Sequence, residues 1–535
     1  MTTQANTNGQ KLLWITLDCT EWSLIDKWID SGELPNLGKL KGQSGFARLN
    51  STADVLVATP SPTTMTSQYP IQTGMVCWMQ WRAELMKQER WSPDWMPMTP
   101  FYRRLGPLGK RVIAIDVPMA YDPVPFDGIE VASWGSYDKL CDLASYPEGY
   151  VKKLQQKYHK LPIGPEYGQL EPIKNQLRLR DELVKGTEAV GDACRDIIQE
   201  EDWDLFIVGL GAGHRAGHNL WDHSSFKEKE GEAPANLVKE YDNALKDVYK
   251  ALDRQVGKLL EVVGDGVAVM ALATHGMGPT TSRFDLFDQL FYPVLENRKA
   301  IPVPPGTKKG GLVSKLRNAI PVRWRSEVKR RLPAKVQDTL TMFWAGGNKE
   351  QDWSQVKAFT VAGDLEGYVY INLKGREAKG SVEPQDYEPL MQRLTEGLLS
   401  WKDKKTGERI IEKVVRGNDM WPEVPKDVRK PMPDLIIQWS QLPAVQSQEM
   451  VSDDFGQVNW PLQDKCPDGR SGHHVPTGWL MLRADGVEPG TAIEPHSIID
   501  LAPTAMSLMG LTPFDDFFGE PIETAKHDAT MSKSA

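Results

Sequence analysis

Leu205-Phe-Ile-Val-Gly-Leu210 followed at once by Gly211-Ala-Gly-His-Arg-Ala-Gly-His218 decides how this chain is read. The first six residues are a continuous apolar run of strand length, which suits a parallel strand covered on both faces. The next eight turn through glycine and set His214 and His218 four residues apart. On a helix or tight turn that spacing puts both rings on one face, roughly 5–6 Å apart at Cβ, able to share one metal ion. HxxxH pairs are common on helix surfaces; the apolar strand feeding this one through Gly211 and Gly213 lifts it above that background.

The arrangement recurs. Val267-Ala-Val-Met-Ala-Leu272 runs into Thr274-His-Gly-Met-Gly-Pro279, which carries His275. Leu12-Leu-Trp-Ile-Thr-Leu17 delivers Asp18, and Ser471-Gly-His-His-Val-Pro-Thr-Gly478 leads into Trp479-Leu-Met-Leu482. Five of the chain's nine histidines fall in these three motifs. Open α/β sheets bind ligands beyond the carboxyl ends of their strands. The strand ends therefore predict convergence on one place, and imidazoles with a carboxylate predict a metal centre there. Taken singly the signals are weak. His275 alone reads as a buried hydrogen-bonded histidine, and Asp18 alone as a helix cap. Of the adjacent His473 and His474, only one ring easily faces a given site.

Working outward, strand signals alternate with helical ones. Trp22-Ser-Leu-Ile-Asp-Lys-Trp-Ile29 has the spacing of an amphipathic helix, and Arg111-Val-Ile-Ala-Ile-Asp-Val117 is a strand stopped by Pro118. Leu245, Val248, Leu252, Val256 and Leu259 predict one helix over 236–263; Tyr368–Leu373 and Asp434–Trp439 read as further strands. This order predicts an α/β fold with a doubly wound, mostly parallel central sheet flanked by helices. The expected core is discontinuous, 11–280 and 358–523, around a basic, helical cap insertion at 281–357, with a flexible tail at 524–535. Within the insertion, residues 298–335 carry twelve Lys or Arg against one acidic residue, Glu327. That stretch reads as a solvated cap, or as a lid that attracts an anion.

Composition sets bounds. At 535 residues the chain exceeds one simple core, and 40% hydrophobic with 25% charged residues is ordinary for a globular protein. A net charge of −9 gives no reason to expect a nucleic-acid partner. Five scattered cysteines without CxxC spacing argue against a disulfide framework or a thiolate zinc site and suit a reducing compartment. The first ten residues lack secretory character, and no apolar run approaches the roughly 18–20 residues of a membrane span, so a cytoplasmic location is expected. Hydroxyls crowd one loop, from Thr59 through Ser61, Thr63, Thr64 and Thr66 to Ser67; by themselves they read as polar turns.

The order and spacing of the pieces carry a resemblance. Leu17-Asp-Cys-Thr-Glu-Trp22, then Pro62-Thr-Thr64 ahead of Thr73-Gly74, then HRAGH, THGMGP and GHHVPTG resemble the alkaline phosphatase superfamily, more narrowly its type I phosphodiesterase/nucleotide pyrophosphatase branch. Val117-Pro-Met-Ala-Tyr121, Ile371-Asn-Leu-Lys-Gly-Arg-Glu377 and Asp500-Leu-Ala-Pro-Thr504 extend it over residues 11–523. The resemblance implies two metal ions, commonly zinc, and in-line attack on phosphorus by a threonine or serine alkoxide. It implies His214, His218 and His474 on one metal and Asp18 with His275 on the other. It also implies Thr64 as nucleophile, nine residues before Thr73, and prefers His474 to His473 because Gly478 follows it by four.

Two departures stand out. His214 and Thr274 occupy positions where the family usually has aspartate. Three neutral imidazoles remain a workable zinc set with an open position, whereas the second site keeps one firm carboxylate, Asp18. The implied function is a metal-dependent hydrolase of an anionic small-molecule phosphate or sulfate ester. A single-metal enzyme with non-hydrolytic chemistry, group transfer, lyase or isomerase, and a non-catalytic binding protein are the alternatives.

Overall fold

The structure is a computed structural model that describes residues 9–136, 140–158, 170–229, 231–301, 352–361, 363, 365–460, 465–466 and 469–523, with isolated positions 328, 332, 336, 337, 339 and 340. Most of the basic stretch 298–335, and the tail 524–535, lie outside the described residues.

Nine strands form the central sheet: β1 (Leu12–Leu17), β2 (Gly45–Asn50), β3 (Val112–Ile115), β4 (Gly128–Ala132), β5 (Ala144–Tyr146), β6 (Leu205–Leu210), β7 (Ala268–Ala273), and, after the ribbon described below, Thr477–Arg483 and His496–Ser497. A two-stranded antiparallel ribbon stands beside it, β8 (Gly276–Pro279) with Gly472–Val475. A second, four-stranded antiparallel sheet is made of β9 (Ala358–Val361), β10 (Gly367–Ile371), β11 (Ile411–Val415) and β12 (Leu435–Trp439). The later strands are then β13 (Gly472–Val475), β14 (Thr477–Arg483) and β15 (His496–Ser497). The central order is β15-β2-β14-β7-β1-β6-β3-β4-β5. Pairing is parallel through β7, β1, β6, β3 and β4; β14 runs antiparallel to both β2 and β7. The sheet is mostly parallel, as expected.

The apolar runs of β1, β6 and β7 are buried end to end because both faces are covered. Leu13, Ile15 and Leu17 face one layer, with α1 (Trp22–Asp30), α2 (Pro35–Gln43), α4 (Ile173–Glu200) and α6 (Ala244–Val263). Leu12 and Trp14 face the other, with α9 (Leu501–Leu508). Each fully buried Leu or Ile contributes about 1.5–3 kcal/mol, so this double cover is the main anchor of the strand ends. Two shorter helices complete the set used below, α3 (Pro60–Thr66) and α5 (Ala212–Leu220). The helix read over 236–263 is split, because the chain turns at Asp242-Asn243 before α6.

Residues 358–439 carry the strands their sequence predicts, yet these join the antiparallel sheet rather than the central one. They pack with α7 (Phe287–Glu296) and α8 (Pro384–Leu399) around a separate core containing Phe291, Leu394, Trp401 and Ile437. Apolar alternation signals a strand but not the sheet it enters. Among the described residues, no helix is long and apolar enough to cross a membrane.

Candidate metal centre

Register brings the site together. Thr16 of β1 pairs with Gly209 of β6 and Leu272 of β7, so three adjacent strands end level. Asp18-Cys19, Gly211 and Thr274-His275 therefore emerge side by side. The chain reverses at Cys19 with a φ of 55°, a left-handed conformation unusual for a residue with a Cβ. The β8–β13 ribbon places His474 opposite Met277 and His473 opposite Gly278. Adjacent strand residues point to opposite faces, so only His474 joins the cluster.

The glycines of Gly211-Ala-Gly-His-Arg-Ala-Gly-His218 serve close approach. A Cβ on Gly213 would lie 2.9 Å from the Asp18 carbonyl oxygen, and one on Gly217 would lie 2.6 Å from Met277 Cγ. Lacking both, α5 settles between the end of β1 and the ribbon, which holds His214 and His218 over the site.

The hydrogen bonds fix the rings. His214 Nδ1 is 3.0 Å from Asp18 Oδ2, and His218 Nδ1 is 2.8 Å from the Gly472 carbonyl oxygen. Carboxylate and carbonyl only accept, so each Nδ1 carries the proton and each Nε2 presents a lone pair. Those two Nε2 atoms face each other at 3.1 Å. Two lone pairs at that distance repel unless a proton or a cation lies between them. The second group is deeper. His275 Nε2 lies 3.0 Å from His474 Nδ1 and 3.0 Å from Cys19 Sγ, and Cys19 Sγ is 3.6 Å from His474 Nδ1. Thr274 Oγ1 sits 3.1 Å from His275 Nδ1 and orients that ring. His474 links the groups, with ring centroids 4.9 Å from His214 and 4.8 Å from His218.

Burial sets the protonation. It pushes His275 down to about 4 and His474 well below the usual imidazole range, so both rings are neutral near pH 7. Burial pushes the Cys19 thiol up, and the Asp18 charge pushes it further. Burial raises Asp18 as well, but at the acid pH where the carboxyl titrates, the charge and hydrogen bond of protonated His214 and the charge of protonated His275 outweigh it and hold the carboxyl below its usual range. Oriented neutral imidazoles, one carboxylate and one thiol are a donor set for a zinc-type dication, and the paired Nε2 atoms fit such an ion directly.

A cavity of about 120 Å³ opens onto the cluster. Asp18, His214, His218, His275 and His474 all line it, so the structure brings together every metal residue named from sequence. Thr64 is a different matter. It lies in α3, fully buried, and its hydroxyl has no hydrogen-bond partner and does not line the cavity. Ser61, one turn nearer the start of α3, does line it, with its hydroxyl donating to the Pro118 carbonyl at 2.5 Å. The family spacing counted back from Thr73-Gly74 points to Thr64, whereas Ser61 is the α3 hydroxyl residue that lines the cavity. Sequence reading also missed Cys19, whose only signal was its place one residue after Asp18, and the two cationic wall residues Arg215 and Arg470.

A family model, type I phosphodiesterase/nucleotide pyrophosphatase, matches residues 12–452. No curated protein matches the chain. Among solved structures it is similar to phosphonoacetate hydrolase from Sinorhizobium meliloti in complex with phosphonoformate, at 12% identity and a TM-score of 0.47 over 94% of this chain and 96% of that one. Murine ectonucleotide pyrophosphatase/phosphodiesterase 5, an inactive variant in complex with AMP, is 12% identical over the same shares with a TM-score of 0.45. The human protein of that name is 11% identical, also over 94% and 96%, with a TM-score of 0.43.

Proposed function

The chain belongs to the type I phosphodiesterase/nucleotide pyrophosphatase family, and from that premise we propose that it is a metal-dependent hydrolase of a small phosphate ester. The observation that carries the metal dependence is the pair of His214 and His218 Nε2 atoms, 3.1 Å apart with both Nδ1 protons already committed. His214 and His218 would hold a dication there, which would supply charge withdrawal from phosphoryl oxygens and easier ionisation of a nearby hydroxyl.

The chain's own residues supply the rest. Arg215 and Arg470 on the cavity wall favour entry of an anion. The cavity, about 120 Å³, is small beside the roughly 300–1,000 Å³ of pockets that enclose drug-sized ligands, so it takes the phosphoryl head and leaves the remainder outside. Val57, Met65, Trp78 and Met119 form an apolar wall for the first atoms of the ester group. Ser61 is the hydroxyl placed to attack: it faces the cavity, and the Pro118 carbonyl holds its oxygen in position. The buried, unbridged cysteines suit a reducing compartment, in keeping with a cytoplasmic enzyme.

The absence of two carboxylates favours a second reading, a one-ion centre with group-transfer chemistry. Kinetics on a chromogenic phosphate ester, with metal content measured on the same samples, separate the two. Ser61→Ala is expected to lower kcat by about 10³-fold or more at unchanged metal content, and Thr64→Ala by less than about tenfold. The reverse order would return the attack to Thr64. One ion per chain with no ester hydrolysed would favour group transfer.

A further inference from the structure

We infer that Cys19 is a metal ligand: its sulfur, with His275 Nε2 and His474 Nδ1, forms a thiolate-bearing face for one dication, which makes the resident ion a thiophilic one of the zinc type. This rests on the metal dependence proposed above and adds a donor that the chain's spacing argued against, since no other cysteine stands near Cys19 in sequence.

The argument is geometric. The three donor atoms form a triangle with edges of 3.0, 3.0 and 3.6 Å. A tetrahedral ion with sulfur at about 2.3 Å and nitrogens at about 2.0–2.1 Å needs N···N near 3.3 Å and S···N near 3.6 Å. Every edge lies within about 0.6 Å of that demand, which small ring rotations supply. Asp18 Oδ1, 3.4 Å from the sulfur, stands beside the fourth corner. Cys19 Sγ, a His214 ring nitrogen and a His474 ring nitrogen also lie within 4.8 Å of one another, so sulfur sits at the junction of both histidine groups. The left-handed turn at Cys19 is what aims it there.

Charge gives the placement a purpose. His214 and Thr274 stand where two carboxylates would have neutralised the ions. A coordinated thiolate restores one of those negative charges, its proton passing to solvent as the sulfur–metal bond forms. It also changes which metals are held: thiolate with imidazole selects zinc or cobalt, whereas carboxylate-rich sites suit magnesium and manganese.

Cobalt(II) replacing the native ion in the full-length protein is the test, read by absorption rather than turnover. The unmutated protein is expected to show a near-ultraviolet sulfur-to-cobalt charge-transfer band together with visible bands of tetrahedral cobalt. Cys19→Ser and Cys19→Asp are both expected to lose the charge-transfer band, the second while keeping cobalt. Visible cobalt bands without charge transfer in the unmutated protein would overturn the role of Cys19 and leave the metal reading standing. A charge-transfer band that survives in either variant would also overturn it. Failure to bind cobalt at all would sink both. Because the first measurement needs no substitution, the inference stays testable even if a variant does not fold.

Discussion

The two halves of the donor cluster are built in opposite ways. His214 and His218 are one turn apart on α5, and the His214 side chain is 36% exposed. His275 and His474 are 199 residues apart, face each other across a ribbon, and are each 6% exposed. Within the local pair His214 is open to the cavity, whereas His218, at 2% exposure, is as buried as the distant pair. The distant pair is buried, neutral and shares its space with a sulfur. On the proposed function, exposed His214 is the donor suited to meeting substrate and exchanging its ligands, and the buried rings are suited to keeping an ion in place.

Removing one ring from each half tests that division most severely. His474→Ala is expected to weaken metal retention well beyond the roughly 10–100-fold of outer-shell changes, while His214→Ala stays near that range and leaves one ion bound. Elemental mass spectrometry after dialysis against a chelator measures both. If His214→Ala empties the whole cluster, the halves are one unit and the comparison collapses.

Thr274→Asp sharpens the contrast instead. It returns a carboxylate beside His275, so metal content is expected to rise towards two ions per chain. Unchanged stoichiometry would mean that a side chain at 274 serves only to orient the His275 ring, as its hydroxyl does at 3.1 Å.

The smallest effect comes from a buried carboxyl outside both halves and behind the cavity wall. Asp116 accepts from the Trp134 and Gly135 N–H groups at 2.8 and 2.6 Å, one residue before Ser136 of the cavity wall. Burial raises its pKa from 3.8 to about 7. The folded chain therefore binds more protons than the unfolded one between those values. The stability this group contributes is complete below about pH 4 and is lost as pH rises through 7. Asp116→Asn removes the dependence, so its stability relative to the unmutated protein is expected to rise by about 2–3 kcal/mol from pH 5 to pH 8. Urea midpoints at both values, with metal content matched, check it. A constant difference would place the carboxyl in contact with water.

Much of this was legible before any coordinates. Strands buried on both faces announce themselves as unbroken apolar runs, and four strand ends carrying His or Asp foretold where they meet. The i, i+4 spacing of His214 and His218 encodes their pairing directly. What stayed hidden depends on register and orientation. The sequence marks a turn after Leu17 but not that φ swings the Cys19 sulfur inward, and cysteine counting, which looks for near neighbours, discounted a thiol whose partners lie 256 and 455 residues away. Thr64 has the family's spacing but lies fully buried, about one turn further along α3 than Ser61, which lines the cavity. The strands of 358–439 were recognisable as strands, but nothing local says which sheet a strand enters.

The place of β14 has a consequence for biosynthesis. It is the strand between β2 and β7, and the ribbon segment bearing His474 leaves the ribosome just before it. Until then β2, whose only sheet partners among the described residues are β14 and β15, has no edge to join, and β7 keeps an unpaired backbone edge exposed to any chaperone or protease that reads it. At about 5–20 residues per second, residues 472–483 emerge within roughly a second or two, delivering His474 together with the strand that joins β2 to the sheet, with β15 still to follow. A message cut short upstream yields a chain that lacks both His474 and the strand between β2 and β7.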